Sequence, residues 1–145
     1  MYNALLEDLK TSMKKRDTDR VSVLRMFLSS IKNELINLHI DIVDDDLFFK
    51  VLSKNIKQVN ESIEIYKKSH NEDRMFEEEK GLKILQSFLP KQLSDSELKS
   101  VVEDEVSKLD NFTRRDIGII MGIISDKYKN RVTSQRIYLE IEKFL

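Results

Sequence analysis

The chain has 145 residues and a mass of 17.1 kDa, enough for one domain or two small ones that bury a core without a metal or a disulfide. Charged residues make up 35% of it, whereas glycine occurs three times and proline once, a balance that favours long helices over a turn-rich β fold. The formal net charge of −1 excludes attraction to nucleic acid or membrane through overall charge, and the absence of cysteine excludes disulfides and thiolate zinc sites.

The N-terminal residues and the apolar runs carry no signal for export or membrane insertion. Residues 1–10 alternate apolar and charged side chains, unlike a signal peptide. The longest apolar run, Ile117–Ile124, is far shorter than the roughly 20 residues that span a bilayer. We therefore expect a cytoplasmic protein that makes no membrane contact.

Apolar residues recur at three- and four-residue steps through the first 90 residues, which predicts four helices there. Asn3 is expected to cap the first helix. Residues 17–19 supply candidate caps for the second helix, because Asp and Thr side chains accept hydrogen bonds from the free N–H groups of a first turn. The three aspartates at 44–46 mark the start of the third helix, because negative charge is favourable at a helix N-terminus.

The second of these helices has the clearest apolar stripe in the sequence. A turn at residues 69–71 then precedes the fourth helix, which must end by Leu89 because Pro90 disfavours helical backbone in the residue before it. The stripe predicts a long helix that packs against a partner helix, and it consists of Val21, Leu24, Leu28, Ile31, Leu35 and Leu38.

Beyond Pro90 the sequence predicts three shorter helices. Ser94 and Glu97 have the spacing of a capping box that opens a helix, and Thr113 and Asp116 repeat it. No strand-like alternation extends over four or more residues. The expected fold is therefore all-α and multihelical in two parts, an N-terminal helical domain at residues 1–90 and a C-terminal three-helix bundle at residues 91–145.

No constellation of residues predicts catalysis or a cofactor. His39 and His70 lie beside predicted helix ends, and neither has the second ligand at helical spacing that zinc motifs use. The three glycines are too scattered to form a phosphate-binding loop. The carboxylates fall on predicted solvent faces rather than in a shared apolar pocket. We therefore predict no catalytic residue, no metal and no cofactor.

Gly118 and Gly122 stand four residues apart inside a predicted helix, where each destabilises the helix by about 1 kcal/mol relative to Ala. Close packing of another backbone is the favoured explanation, and approach of a ligand is the alternative. On the packing interpretation, Gly122→Leu should damage the last helices.

Positive charge is concentrated between Thr113 and Arg136, where six cationic side chains stand against only Asp116 and Asp126. Such a cluster predicts either contact with a phosphate backbone or a merely solubilising surface. Tyr128, between two of the lysines, is expected to pack, with stacking on a base as the alternative. The candidate nucleic-acid-binding residues are Arg114, Arg115, Lys127, Lys129, Arg131 and Arg136.

Five segments and a basic run occur together in order along nearly the whole chain. They are Ser22–Met26, Ile31–Glu34, Ile56–Ile63, Phe88–Leu93 and Asp116–Gly122, followed by Lys127, Lys129 and Arg131. In this order and spacing they resemble the YqeY family of small proteins, which is related to the tail of the GatB subunit of tRNA-dependent amidotransferases. This sequence departs from the family pattern at Asp126, at Asn130 and at Gln135. Asn130 stands where the family usually has glycine, and Asn can adopt the same left-handed backbone.

The resemblance implies a helical N-terminal domain peculiar to these small proteins and a C-terminal bundle shared with the amidotransferase tail, which holds the body of tRNA. A non-catalytic tRNA-binding module is therefore the expected function. The family also carries a label of carbon–nitrogen ligase with glutamine as amide donor, which we interpret as inherited from the complete enzyme. The alternatives are a protein-interaction adaptor that uses its long N-terminal helices or the acidic residues 72–79, and an accessory subunit of such a ligase.

Overall fold

The computed structural model describes all residues, Met1–Leu145, and contains seven α-helices, one 3-10 turn and no strand, which confirms the all-α class. None of the helices is both long and apolar enough to cross a membrane. The elements are α1 (Tyr2–Lys14), α2 (Thr18–Leu38), α3 (Asp45–Lys68), α4 (Glu72–Gln86), α5 (Asp95–Ser107), the 3-10 turn Arg114–Asp116, α6 (Ile117–Lys127) and α7 (Ser134–Glu142).

The chain divides into two compact units, Met1–Phe88 and Leu89–Leu145, hereafter the N-terminal and C-terminal units. The division falls after α4, next to the break predicted at Pro90. The N-terminal unit contains α1 to α4, and the C-terminal unit contains α5 to α7.

Short polar side chains begin most of the helices. Asp17 Oδ1 accepts from the N–H of Arg20 at 3.2 Å, as predicted. Asp44 Oδ1 accepts from the N–H of Leu47 at 2.8 Å, at the start that the three aspartates predict for α3. Ser94 caps α5 in the same way, by accepting from the N–H of the residue three positions on at 3.1 Å.

The cap predicted at Asn3 is wrong. Helix α1 begins at Tyr2, so Asn3 already lies in its first turn, and Met1 occupies the N-cap position. The ammonium of Met1 lies 2.9 Å from Asp45 Oδ1 at the start of α3. No side chain caps the beginning of α1.

Three phenylalanines occupy the core of the N-terminal unit. The ring centroids of Phe27 and Phe48 are 5.1 Å apart, and each lies 6.1 Å from that of Phe88. The stripe predicted on α2 is only partly correct, because Phe27 is buried and Leu38 is 45% exposed. Leu24, Phe27 and Ile31 follow one another at helical steps and form the buried face of α2. The last residue of the predicted stripe lies outside this face and is exposed to solvent.

The core of the C-terminal unit is aliphatic. Its buried side chains come from the segment before α5 and from all three helices, and half-buried aromatic residues pack around them. Each helix contributes only two of these core residues, because the helices are short. The core residues are Leu93, Leu98, Val102, Ile120, Ile124, Ile137 and Ile141.

Left-handed backbone occurs only at residues other than glycine. The φ angles are 56° at Arg16, 55° at His39, 56° at His70 and 63° at Asn130. The first three follow α1, α2 and α3, where such a conformation commonly ends a helix. Both histidines are therefore turn residues of the N-terminal unit.

Candidate nucleic-acid interface

Helix α6 presents one side to the core of the C-terminal unit and the other to solvent. Ile120 and Ile124 are buried, whereas Ile119 is 65% exposed and Ile123 43% exposed. Gly118 and Gly122 lie on the same exposed side. We call these four exposed residues, Gly118, Ile119, Gly122 and Ile123, the glycine face.

Nothing in the C-terminal unit packs closely on the two glycines. A Cβ atom added at Gly118 or Gly122 meets no atom within 4 Å. Within the C-terminal unit no other backbone approaches them, because the core of that unit lies on the opposite side of α6. A larger side chain at Gly122 enters open space, so the damage expected from Gly122→Leu has no structural basis.

Two arginines lie at the N-terminal end of α6. Arg114 and Arg115 belong to the 3-10 turn and are exposed. The carboxylate of Asp116 holds this turn by accepting from the backbone N–H of Thr113 at 2.9 Å and from its hydroxyl at 3.3 Å. The Thr–Asp spacing noted in the sequence thus fixes where these two cations lie.

Arg114 also lies near the C-terminal half of α7. A hydrogen bond to the carboxylate of Glu142 raises the pKa of the Tyr138 hydroxyl, and the positive charge of Arg114 acts on that pKa in the opposite direction. Arg114 therefore adds positive charge beside an exposed tyrosine.

The C-terminal end of α6 bears a second pair of exposed cations, Lys127 and Lys129. The ring of Tyr128, between them in sequence, is half-buried and packs against the aliphatic core, as the packing interpretation predicts. Lys127 Nζ and the guanidinium carbon of Arg131 each lie 5.7 Å from the centroid of this ring. At that distance both cations are attracted to its π face.

The turn after α6 is fixed to the segment that precedes α5. Asn130 has a φ of 63°, as its place in the family pattern predicts, and its carbonyl accepts from Nε2 of Gln92 at 2.8 Å. Arg131 donates from Nε to the carbonyl of Lys91 at 2.9 Å, and its own carbonyl accepts from the N–H of Leu93 at 2.9 Å.

Arg136 makes a similar connection from α7. Its guanidinium donates to the carbonyl of Leu93 at 2.8 Å and lies 3.1 Å from Asp95 Oδ1. Arg131 and Arg136 are therefore engaged inside the unit. The role of Gln92 was missed from the sequence, although it stands in the segment Phe88–Leu93 that carries the resemblance.

The structure thus separates the six predicted cations by position. Arg114 and Arg115 lie at one end of α6, and Lys127 and Lys129 at the other. An eleven-residue helix is about 16 Å long, so the glycine face lies between two positive ends. Asp126 is also exposed near the second end and reduces its positive charge.

No group of three or more His, Asp or Glu side chains is placed to hold a metal ion. The arrangement around α6 offers separated positive charges and, at Gly118 and Gly122, two positions on the helix surface without a side chain. These features suit contact with an extended anionic chain.

Comparison with known proteins identifies the family. A model of the YqeY-like protein family matches residues 2–145. The chain belongs to the YqeY-like family. The resemblance in the ordered segments from Ser22 to Arg131 is therefore confirmed as a family relationship.

Several curated relatives carry the name Altered inheritance of mitochondria protein 41, mitochondrial. The one from Vanderwaltozyma polyspora is 36% identical over 85 residues, which are 59% of this chain and 46% of the relative. The one from Kluyveromyces lactis is 34% identical over 85 residues, again 59% of this chain and 46% of the relative. The one from Pyrenophora tritici-repentis is 26% identical over 146 residues, with 96% of this chain and 77% of the relative covered. The matched part of this YqeY-like chain spans about half the length of the two yeast relatives.

Proposed function

We propose that this YqeY-like protein is a non-catalytic RNA-binding module whose glycine face receives the sugar–phosphate backbone of tRNA or a tRNA-like RNA. The single observation that carries the proposal is the position of the two glycines. Each destabilises α6 by about 1 kcal/mol relative to Ala, and the chain places no atom within 4 Å of the missing Cβ atoms. A partner that lies against the helix backbone accounts for this lower stability.

The charges around the glycine face support an anionic partner. Exposed cations stand at both ends of α6 and provide positive charge at two separated points near the glycine face, whereas Asp126, four residues after Gly122, puts one carboxylate on the glycine side of the helix. Ile119 and Ile123 offer apolar contacts to sugars between those points. A-form RNA is commonly recognised in this way, through shape and backbone rather than through base edges.

The choice of tRNA comes from the resemblance to the amidotransferase tail. Within this proposal the chain holds RNA while chemistry takes place on another protein. The role of accessory subunit in a glutamine-dependent carbon–nitrogen ligase rests on the resemblance alone. A cytoplasmic location remains a prediction from the sequence.

The first test adds bulk to the glycine face. Gly122→Leu should raise the free energy of unfolding by up to about 1 kcal/mol, because leucine is the better helix former and the site is open. The same change should weaken binding of total tRNA at least tenfold. Ser100→Leu is the matched control, because it adds the same side chain to an exposed position on α5 and should leave tRNA binding unchanged.

The second test removes charge at the two ends of α6. Arg115→Gln and Lys127→Gln should each weaken tRNA binding. The slope of log affinity against log salt concentration should become less steep by about one for each phosphate that the variant no longer binds. Lys99→Gln on α5 is the matched control. Equal affinities and salt slopes in all three variants would contradict the proposal.

A protein-interaction adaptor is the second candidate. Its supporting observation is Phe76, which is 55% exposed on α4 within the acidic residues 72–79. Failure of the parent chain to bind tRNA at low salt favours this candidate. Phe76→Ser should then abolish capture of the protein partner without lowering stability.

A further inference from the structure

A groove lies beside the turn that joins α1 to α2. Its volume is about 600 Å³, and it is open to solvent. Two apolar, two cationic and two hydroxyl side chains line it, those of Met13, Val21, Arg16, Arg25, Thr18 and Ser22. All of them belong to the N-terminal unit, whereas the glycine face belongs to the C-terminal unit, so the groove is a separate surface.

The two arginines of this groove have no carboxylate partner in the chain. Arg16 and Arg25 are both exposed, and neither forms an ion pair. The guanidinium of Arg25 lies 4.0 Å from Met13 Sδ, beside the apolar lining. The carboxylate of Asp17 is not part of the lining and accepts from the backbone N–H of Arg20. The groove therefore favours an occupant that is both acidic and apolar.

Helix α4 of the same unit presents a surface with those two properties. Phe76 is 55% exposed. Glu72 and Asp73 precede it by four and three residues, so both lie on its side of the helix, and both are exposed. Lys80, one turn after Phe76, pairs with Glu77 at 3.4 Å, which offsets its charge. We call Glu72, Asp73 and Phe76 the acidic patch.

The groove and the acidic patch lie toward the same end of the N-terminal unit. Val23 in α2 lies 3.5 Å from the position of a Cβ at Gly81 in α4, and the rings of Phe27 and Phe88 are 6.1 Å apart. The two helices therefore run in the same direction. The groove precedes Val23 and the acidic patch precedes Gly81, so both lie on the same side of this contact. Two surfaces at one end can meet reciprocally across a two-fold axis, which closes the assembly at a dimer.

We propose that the groove receives the acidic patch of a second copy of this chain. Phe76 of one copy packs on the apolar lining of the other copy's groove, and Glu72 and Asp73 face its two arginines. The contact is small and partly polar, so the dimer is weak and forms only at high protein concentration. A protein occupant is favoured over RNA, because phosphates would leave the apolar lining uncovered.

Sedimentation velocity of the full-length protein, freed of nucleic acid, tests the proposal. The parent should form a dimer with a dissociation constant of roughly 10–100 μM. Arg25→Glu and Phe76→Ser should each weaken the dimer at least tenfold. The matched controls are Lys32→Glu, which changes the charge equally two turns further along α2, and Ile36→Ser, which removes a 70% exposed side chain at the other end of that helix. Both controls should dimerise as the parent does.

A charge reversal on the acidic patch gives a second measurement. Asp73→Arg should also weaken the dimer, whereas Asp73→Arg combined with Arg25→Glu should dimerise more tightly than either single variant, because opposite charges again face each other. Far-UV circular dichroism reports whether each variant is folded. A monomeric parent at the highest concentration, equal dimers in Arg25→Glu and Lys32→Glu, or no recovery in the combined variant would each overturn the proposal. A monomeric parent whose tRNA binding is lost in Arg25→Glu would overturn it in favour of RNA as the occupant.

Discussion

The two units of the chain hold their helices together by different means. In the N-terminal unit, α2 has 21 residues and α3 has 24, and three aromatic rings meet between the helices. In the C-terminal unit the helices have 13, 11 and 9 residues around an aliphatic core. There, Gln92, Arg131 and Arg136 add hydrogen bonds from side chains to the backbone of neighbouring segments.

The difference follows from helix length. A long amphipathic helix buries enough side chains for packing alone to fix its orientation, whereas short helices are marginal and bury few residues each. Polar connections then determine how the short helices and their turns meet. In this chain two of the connecting side chains are arginines, so positive charge in the C-terminal unit serves the fold as well as the surface.

The largest expected effect comes from breaking the aromatic core. Phe48→Ala should lower the free energy of unfolding by about 3–5 kcal/mol, since Phe48 is fully buried and contacts three other rings. Urea unfolding measures this change, and amide exchange should accelerate in α2 and α3. Phe76→Ala, at an exposed position, should change stability by less than about 0.5 kcal/mol. Similar destabilisation in both variants would contradict the aromatic core.

A smaller effect is expected from breaking a polar connection in the C-terminal unit. Arg136→Met should lower stability by about 1–3 kcal/mol, because the carbonyl of Leu93 is left without its charged donor. Asp95→Asn should have a smaller effect, because Asp95 is fully exposed and its ion pair is weak. Thermal unfolding of both variants checks that Arg136→Met lowers stability more than Asp95→Asn. A larger effect at Asp95 would mean that the ion pair is the main connection.

The N-terminal unit also contains polar connections between its helices, and the one between Asp8 and Arg20 is titratable. The carboxylate of Asp8 on α1 accepts two hydrogen bonds from the guanidinium of Arg20 on α2 and one from the hydroxyl of Ser12 at 3.0 Å. The hydrogen bonds from Arg20, more than any other influence, hold the pKa of Asp8 below its usual value. Asp8→Asn should lower stability by about 1 kcal/mol at pH 7.

The difference in stability between the parent and Asp8→Asn should become smaller as the pH falls. Because the pKa of Asp8 is lower in the folded state, its contribution is fully present above about pH 4 and disappears as the pH falls through the folded-state pKa. Unfolding measured between pH 7 and pH 2 should therefore bring the parent and Asp8→Asn together at the acid end. A constant difference over this range would exclude titration of Asp8 as the cause.

The smallest effects are expected at the left-handed turn residues. His70→Gly should raise stability by up to about 1 kcal/mol, because a residue with a Cβ is strained at a φ of 56° and glycine is not. Asn130→Gly in the C-terminal unit should raise stability by a smaller amount, because asparagine tolerates this conformation. Thermal unfolding of the two variants checks this order, and destabilisation at His70 would show that its side chain makes an interaction stronger than the relieved strain.

The sequence predicts the local structure well and its buried faces less well. Caps at Asp17, Asp44 and Ser94 follow from short-range hydrogen bonds, which depend on few neighbouring residues. The buried position of Phe27 and the exposed position of Leu38 depend on where other helices lie, and the apolar period on α2 does not contain that information.

The same limit applies to the candidate interface. The six cations between Thr113 and Arg136 could be found by charge alone, but only the structure distinguishes the exposed Lys127 from Arg136, which is bound to Leu93. The spacing of apolar residues along α6 is consistent with Gly118 and Gly122 facing either solvent or another helix. Their surroundings depend on the packing of α6 against α5 and α7.

The position of Tyr128 is suitable for a fluorescent reporter of the turn after α6. The chain has four tyrosines and no tryptophan, so a single Tyr128→Trp substitution creates a fluorophore that can be excited selectively. The indole ring would lie beside Lys127 and Arg131, as the phenol ring does. Its emission would then respond to any phosphate that draws Lys127 away from the ring, and it would report nucleic-acid binding in real time without an attached dye.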